Sequence, residues 1–268
     1  MKWRIAEQND TEALIAFLRP REFRSLSLFS RLLRRKGFTI PPSTSANLFL
    51  GYDHPLEDQM ENEPQGAVLR TTAGLILPLF HESLPEKKIN LDDLRVHLER
   101  VKNLYCILGM RRDVECCAAA QPFTLDVRRY YYLMRRSQDI PLPTPPNIPE
   151  LKIRRLTRHH AAKTFPLEEG YQKEEVLVHP GQFNPTAHYL HFNRAIRRNR
   201  IYFAELDGRP VAKAGTNAIG WDYCQIGGVY TAPEYRGRGI SKALMTTLMR
   251  WIYDRDQSAV LFVDTANT

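Results

Sequence analysis

The chain has 268 residues, 43% of them hydrophobic and 25% charged, which suits a soluble protein of one large domain or two ordinary ones. The first residues lack the apolar region of a signal peptide, and the longest apolar run, near Leu75–Phe80, is far too short to cross a bilayer. The formal net charge of +8 indicates acidic partners, either nucleic acid or a polyphosphate cofactor. We therefore expect a cytoplasmic protein without membrane contact.

The cysteines do not suggest a cross-linked or metal-bound fold. Their spacing matches neither a disulfide framework nor a zinc motif, so they are predicted to be buried thiols in a reducing compartment. His188 and His191 lie one helical turn apart, but no third ligand has a matching spacing, so no metal site is predicted. The cysteines are Cys106, Cys116, Cys117 and Cys224.

The first half of the chain has the hydrophobic spacing of an α/β unit. Two helices are predicted near residues 14–18 and 23–33, the second with Gly37 as its C-terminal cap. Further helices are predicted to begin near Asn90 and Met110. The predicted strands cover residues 46–52, 66–70, 75–80, 104–108 and 127–134.

Proline is concentrated in the middle of the chain. Five of the 18 prolines lie in Ile140–Pro149, which excludes a helix and makes a strand unfavourable. A stiff, extended linker is the predicted structure. The predicted domains are therefore residues 1–139 and 150–268, joined by the linker 140–149.

The second half repeats the order of elements in the first. Residues 48–108 and 202–263 both give a strand, a turn, two more strands, a helix and a final strand. The first copy has no glycine-arginine loop before its helix. This similarity of pattern suggests a tandem repeat whose first copy has lost a ligand loop.

One stretch near the C-terminal end, from Val229 to Lys242, combines a short strand, a glycine-rich loop and an amphipathic helix. Such a loop exposes backbone N–H groups at a helix N-terminus, where the helix dipole favours an anion. Gly237 and Gly239 remove side chains where a phosphate would approach the backbone, and two neighbouring arginines add positive charge. The stretch therefore predicts a pyrophosphate site.

The loop sequence Arg236-Gly237-Arg238-Gly239-Ile240-Ser241 resembles the Gln/Arg-x-x-Gly-x-Gly/Ala signature of the GNAT superfamily of N-acetyltransferases. Ser241 departs from the last position of the signature but is small enough to lie beside a phosphate. The preceding strand and the order of elements over residues 151–268 also resemble the family. A dinucleotide-binding Rossmann fold is less similar, because the strand before the loop follows a meander.

The resemblance implies an acetyl-CoA site. In the family, loop amides hold the pyrophosphate, the preceding strand pairs with the pantetheine arm, and this strand splays from the next. Gly227 and Gly228 would suit a bulge where the strands separate. The positions that match cofactor contacts are Val229, Tyr230, Thr231, Arg236, Gly237, Arg238, Gly239, Ile240, Ser241, Lys242 and Asn267.

Acetyl transfer to an amine requires a neutral amine, a polarised thioester carbonyl and a proton for the leaving thiolate. By the resemblance, the N–H of Val229 polarises the carbonyl. Gln225 occupies the position of the glutamate base in the histone acetyltransferase branch, so the base must lie elsewhere. Two candidates are Glu175, in a glutamate-rich region that lines the acceptor site in the family, and Tyr223, on the same strand face as Gln225. A solvated helix face is the favoured explanation of each of these glutamates.

The printed sequence ends at Thr268, before the helix on which the family carries the tyrosine that protonates the thiolate. We therefore expect the second domain to lack its last helix and last two strands. Three explanations stay open: an incomplete sequence, a missing layer supplied by a partner such as a second copy in a homodimer, or loss of catalysis.

The predicted fold is an α/β, mixed-sheet arrangement of tandem GNAT-like domains, the first degenerate. The predicted function is transfer of an acetyl group from acetyl-CoA to an unidentified primary amine by direct attack. Cys224 lies on the strand face opposite Gln225, so no catalytic cysteine is implied. The alternatives are a non-catalytic acyl-CoA-binding or scaffold protein and, less favoured, a nucleic-acid-binding module suggested by the charge.

Overall fold

The computed structural model describes residues 1–34, 37–42, 46–53, 63–85, 89, 92–98, 104–119 and 126–265. The chain divides into two compact units, Met1–Tyr130 and Tyr131–Thr268. Two predicted features, the helix cap Asn90 and the cofactor contact Asn267, lie outside the described residues. Within the described ranges, no helix is both long and apolar enough to span a bilayer.

The first unit is built on a mixed sheet. Its strand order is β1-β4-β5-β6-β7, antiparallel except for the parallel pair β6–β7. The described helices are α1 (Thr11–Leu18), α2 (Glu22–Leu32), α3 (Asp92–Leu98) and α4 (Arg111–Ala119). The described strands are β1 (Lys2–Ile5), β2 (Leu33–Arg34), β3 (Gly37–Phe38), β4 (Ala46–Tyr52), β5 (Gly66–Thr71), β6 (Leu75–Phe80) and β7 (Cys106–Ile107).

The first unit differs from the prediction at two places. Strand β1 was not predicted, because four residues with a single buried side chain, Trp3, give too short a pattern. Helix α2 ends at Leu32 and has no glycine cap. The chain turns back there, so that Leu33 pairs with Phe38, whose ring packs edge-on against Phe29 at 5.5 Å between centroids.

The second unit has a six-stranded sheet among its described residues, ordered β8-β13-β12-β11-β10-β9. Only β12 and β13 are parallel; the other neighbours are antiparallel. Its strands are β8 (Tyr131–Arg136), β9 (Lys152–Arg155), β10 (Ile201–Leu206), β11 (Arg209–Ile219), β12 (Tyr223–Thr231) and β13 (Ser258–Asp264). Its helices are α5 (Ala161–Tyr171), α6 (Pro185–Arg198) and α7 (Ile240–Tyr253).

Strand β8 moves the boundary between the units away from residue 139. It pairs antiparallel with β13, from Arg136 opposite Ala259 to Tyr131 opposite Asp264. A strand belongs to the sheet whose backbone groups it satisfies, so the division falls before Tyr131. Because of this pairing, β13 is not the edge of its sheet, although no neighbour beyond it was expected.

The proline-rich segment Ile140–Pro149 forms neither helix nor strand, as predicted, but it is not a free linker. Leu142 and Ile148 pack against the core of the second unit. The Arg136 guanidinium donates to the Pro141 carbonyl at 2.8 Å. The segment is therefore part of the second unit, because its few apolar side chains gain burial there.

The two sheets confirm the repeat suggested by the sequence. In each, an antiparallel meander of four strands leads to a parallel fifth: β1-β4-β5-β6-β7 and β9-β10-β11-β12-β13. Two helices follow the first strand of each set, and one helix precedes the fifth. The repeat is thus one of topology, carried by different side chains.

Helices cover both faces of the second sheet. Adjacent residues of β10 point to opposite faces, so Ala204 and Phe203 belong to different core clusters. Ala204 shares its cluster with Leu244 and Leu248 of α7. Phe203 shares its cluster with Phe192 of α6. The β12–α7 connection therefore lies at one end of a fully packed sheet.

Candidate active site

The second sheet opens between β12 and β13. Their parallel register begins at Tyr223 and ends where Ile226 pairs with Leu261, although both strands continue. Beyond this point the two strands separate, and residues 227–231 border the opening. The splay implied by the family resemblance is therefore present.

A β-bulge marks the point of separation. Gly228 and Val229 of β12 together face one residue of β11, Ala214, so the register shifts there. Gly228 has φ of +61°, a left-handed conformation that glycine adopts without strain. The predicted bulge is confirmed, and Val229 is its second residue.

A buried lysine holds the bulge. The Lys213 side chain is 4% exposed, and its Nζ donates to the Gly228 carbonyl at 2.9 Å. The same Nζ lies 3.0 Å from Oε2 of Glu168 and 4.3 Å from the centroid of the Tyr171 ring. Burial lowers the pKa of Lys213, while the Glu168 carboxylate opposes this shift. The bulge is therefore tied to α5 through a buried ion pair.

The end of α5 packs closely on the same strand. A Cβ at Gly170 would collide with the Tyr230 hydroxyl, so glycine lets the helix approach β12. Burial, followed by the Glu168 charge, raises the pKa of Tyr171 to about 12. A hydrogen bond with the Gly228 backbone acts in the opposite direction. Tyr171 is therefore neutral at physiological pH and lies directly against the bulge.

Helix α5 continues into a π-helical turn, Gln172–Val176, of the kind often found at functional sites. Glu174 in this turn accepts a hydrogen bond from the Tyr230 hydroxyl at 2.6 Å and forms an ion pair with Arg236 at 2.6 Å. These two partners lower the pKa of Glu174, with Tyr230 the larger cause. Glu174 is therefore an anion that fastens the turn to the strand and loop, and it is a poor base.

The predicted phosphate loop has the geometry of an anion cradle. Gly239 is the N-cap of α7 with φ of +76°, and no side chain caps the helix there. The first-turn N–H groups of Ile240, Ser241 and Lys242 have no intrahelical acceptor in an α-helix. A Cβ at Gly239 would meet Pro146 at 3.3 Å, so glycine also allows the proline-rich segment to lie against the loop.

The two loop arginines are engaged with their surroundings. Arg236 donates to the Thr231 carbonyl at 2.9 Å in addition to its pair with Glu174. Arg238 donates to the Glu234 carbonyl at 3.1 Å. Both side chains therefore brace the loop, and the backbone N–H groups at the start of α7 remain available to a ligand.

The two predicted catalytic residues lie in different places. Glu175 is exposed in the π-helical turn, and its charge contributes to the raised pKa of Tyr171 beside the bulge. Tyr223 lies at the other end of β12, roughly 20 Å along the strand from Val229. Gln225 is buried in the paired half of β12. The structure thus places Glu175 where its charge acts on Tyr171 beside the bulge, and leaves Tyr223 and Gln225 in the paired half of β12.

Sequence reasoning missed Lys213 and Tyr171. Lys213 interrupts a buried run of small and apolar residues, Val211–Thr216, and this isolated charge was the available signal. Tyr171 carried no comparable signal, because an aromatic residue on a helix usually packs in a core. In the described part of the chain, no group of three His, Cys, Asp or Glu side chains is placed to hold a metal.

In the first unit, the described part of the connection after β6 carries an acidic residue bound by arginines. The connection after β6 carries Glu82, whose carboxylate lies 2.9 Å from Arg21 and 2.8 Å from Arg24. Those arginines bind a carboxylate of their own chain, whereas the loop of the second unit offers backbone amides. The proposed loss of the ligand loop in the first copy is consistent with this arrangement.

The comparisons with known proteins agree with this geometry. The model of the acetyltransferase (GNAT) family matches residues 166–268. A search of curated protein sequences finds no match.

Among solved structures, a Drosophila protein is 15% identical, covers 99% of this chain and 90% of its own, and has a TM-score of 0.64. A tandem GNAT protein from the clavulanic acid biosynthesis pathway is 12% identical over 100% of this chain and 91% of its own, with a TM-score of 0.54. A GNAT-family acetyltransferase from Colwellia psychrerythraea is 9% identical with the same coverage and a TM-score of 0.51. The chain therefore has the fold of tandem GNAT proteins, and its residues 166–268 match the GNAT family model.

Proposed function

We propose that the protein is an N-acetyltransferase that transfers an acetyl group from acetyl-CoA to a primary amine. The observation that carries this proposal is the separation of β12 from β13 at a bulge, followed directly by a loop of open amides. The separation exposes backbone for an extended ligand, and the amides suit its anionic end. The match to the GNAT family model supports acetyl transfer as the reaction class.

The proposed binding mode follows the order of these features along the chain. The pyrophosphate of CoA binds the backbone amides from Arg238 to Lys242. The pantetheine arm pairs with residues 229–231 as an added strand. The thioester then lies at the bulge, where the N–H of Val229 is the donor to its carbonyl oxygen.

The proposed reaction is direct attack. The neutral amine adds to the thioester carbonyl carbon, the C–S bond breaks, and the sulfur leaves as a thiolate that takes up a proton. The amine loses its proton to solvent or, through water, to Glu175, which lies on the acceptor side of the bulge. Because its neighbour Glu174 is held as an anion by Tyr230 and Arg236, we assign no base role to it.

A charge-introducing substitution tests the cofactor site. Gly239→Glu places a carboxylate and a strained φ at the loop, so calorimetry should show loss of acetyl-CoA binding. Gly208→Glu is the matched control: Gly208 also has a left-handed φ, +75°, in an open turn with nothing near its Cβ. The wild type should bind one equivalent per chain, because the first unit lacks the loop. Equal binding by both variants would refute the proposed site.

One observation favours the non-catalytic alternative. Gln225 cannot accept a proton, and the neighbouring carboxylates Glu168 and Glu174 are tied up in ion pairs. A scaffold would bind acetyl-CoA in the same calorimetry experiment but release no thiol with any member of an amine panel. Thiol release by the wild type, reduced in Glu175→Gln, would exclude the scaffold.

We also propose a cytoplasmic location, since all four cysteines are free thiols.

A further inference from the structure

Lys213 has a role that burial alone does not account for. A lysine in the interior costs desolvation energy, and an apolar pair of similar volume usually stabilises a fold as well as an ion pair does. Here the ammonium is not only paired with Glu168 but also donates to one particular carbonyl, that of Gly228. This carbonyl belongs to the peptide unit whose N–H is that of Val229.

We infer that Lys213 is a positioning residue that polarises the Gly228–Val229 peptide unit and thereby strengthens the Val229 N–H as a donor to the thioester carbonyl. The inference rests on the proposed function and names a new participant in the same site. Lys213 does not touch the substrate. It acts through one peptide group, from the side opposite to the ligand.

The physical basis is the coupling of the two ends of a peptide group. A cation on the carbonyl oxygen draws electron density toward oxygen, so the N–H of the same group carries more positive charge. Hydrogen bonds in such chains strengthen one another by about 10–30%. The effect is favoured here because Lys213 is 3% exposed, so that water screens the ammonium little.

The surrounding groups fix the ammonium in this orientation. The Glu168 carboxylate favours the charged form of the lysine against the effect of burial, and the face of the Tyr171 ring, 4.3 Å away, also favours a cation. With the carboxylate on one side, a second N–H of the ammonium is directed to Gly228. The three side chains and the bulge therefore act as one unit.

Isotope-edited infrared spectroscopy of bound acetyl-CoA, labelled with ¹³C at the thioester carbonyl, tests the inference. In the wild type the carbonyl stretch should move to lower frequency on binding. In Lys213→Met the shift should be largely lost, with kcat lowered about tenfold and KM for acetyl-CoA changed less than about twofold. Lys163→Met is the control, because Lys163 of α5 pairs with Glu205 of β10 and makes no contact with Gly228 that the structure records.

The outcomes separate this inference from the function on which it rests. A wild type that neither binds nor shifts the carbonyl refutes the proposed function, and the role of Lys213 with it. The other outcome is that the wild type shows the carbonyl shift and releases thiol, and Lys213→Met has the same shift and the same kcat. This outcome overturns the inference about Lys213 but leaves the proposed function standing.

A second variant covers the case in which Lys213→Met does not fold. Glu168→Gln keeps the lysine and its bond to Gly228 but removes the charge that counters burial, so the pKa of Lys213 falls further. As the pH is raised from about 6 to about 9, the carbonyl shift should weaken more in Glu168→Gln than in the wild type. The other titratable groups near the ammonium are Tyr171, neutral over this range with a pKa of about 12, and Glu175, which acts on Tyr171. An equal change of the shift with pH in Glu168→Gln and in the wild type overturns the inference.

Discussion

At the scale of single residues, the second unit contains ion pairs both in its interior and on its surface. Lys213 and Glu168 are paired in the interior, with side chains 4% and 14% exposed. Lys173 and Glu169 form a pair of similar chemistry on the surface, at 2.6 Å and with side chains 43% and 37% exposed. Removing one partner from a buried pair leaves an uncompensated charge, whereas water replaces the missing partner at the surface.

This contrast predicts different costs for the same substitution. Lys213→Met should lower the free energy of unfolding by about 3 kcal/mol, and Lys213→Met combined with Glu168→Met should recover most of that loss. Lys173→Met should cost no more than about 1 kcal/mol. Urea denaturation of the three variants measures these values. Equal losses for the two single variants would show that the interior pair is not desolvated in solution.

Glu174 predicts a dependence of stability on pH. Its pKa is lowered in the folded protein by Tyr230 and then Arg236, so the folded state binds the proton less tightly than the unfolded state does. The contribution is therefore present above the unfolded pKa, about 4.3, and is lost as the pH falls through the lower folded value.

Urea denaturation should show wild type more stable than Glu174→Gln by at most about 1 kcal/mol at pH 7, because the pair is partly exposed. The gap should shrink below about pH 4.5. A gap that widens on acidification would contradict the assigned direction of the pKa shift.

At the scale of elements, the site depends on how β12 meets its neighbours. The strand is paired on both sides up to Ile226 and then leaves β13 at the bulge. Helix α5 fits against this half because Gly170 has no side chain, and its π-helical turn reaches the loop through Glu174. The opening is therefore held by contacts from three elements and does not result from a gap in packing.

The backbone conformation at the bulge predicts the effect of adding a methyl group at Gly228 on stability and activity. Gly228→Ala should lower the stability by roughly 1–3 kcal/mol, because φ of +61° is strained for alanine, and its Cβ would lie 3.1 Å from Nζ of Lys213. Acetyl-CoA affinity and thiol release should fall as well. Gly208→Ala has comparable strain in an open turn, so it should lose stability but keep its activity. Thermal denaturation and the thiol-release assay separate the two effects.

At the scale of the whole molecule, the two units share one topology but differ in the polar groups that their loops carry and in the segments that they include. The second copy has backbone amides in the loop before α7, whereas the first has the Glu82 carboxylate bound by arginines. The second copy also takes in residues that precede its own first strand: β8 and the proline-rich segment. The two copies therefore cannot be separated at the proline-rich segment without removing part of the second.

A pair of fragments tests this division. A fragment of residues 131–268 should be more stable and more soluble than one of residues 150–268. The shorter one loses the partial burial of Leu142 and Ile148, on the order of 2 kcal/mol together, and leaves β13 as an unprotected edge. Circular dichroism melts and size-exclusion chromatography compare the two. Equal melting temperatures would show that β8 is dispensable.

The sequence by itself determined the features that depend on neighbouring residues. Gly237, Gly239 and the arginines beside them, between a strand and an amphipathic helix, identified the loop, because the conformation of such a segment is set within a few residues. The alternation and spacing of apolar residues likewise predicted most strands and helices of both copies, and the topological repeat.

Only the tertiary structure decided which distant segments meet. The pairing of β8 with β13, and that of Lys213 with Glu168 and Gly228, join residues far apart in the chain. The pattern of a strand shows that the segment will pair, but it does not show with which sheet. A lysine in an apolar run indicates a desolvation cost, but it does not show which group compensates for it. Those choices depend on the burial and hydrogen bonding of the whole fold, so the loop could be predicted from sequence and the buried ion pair behind the bulge could not.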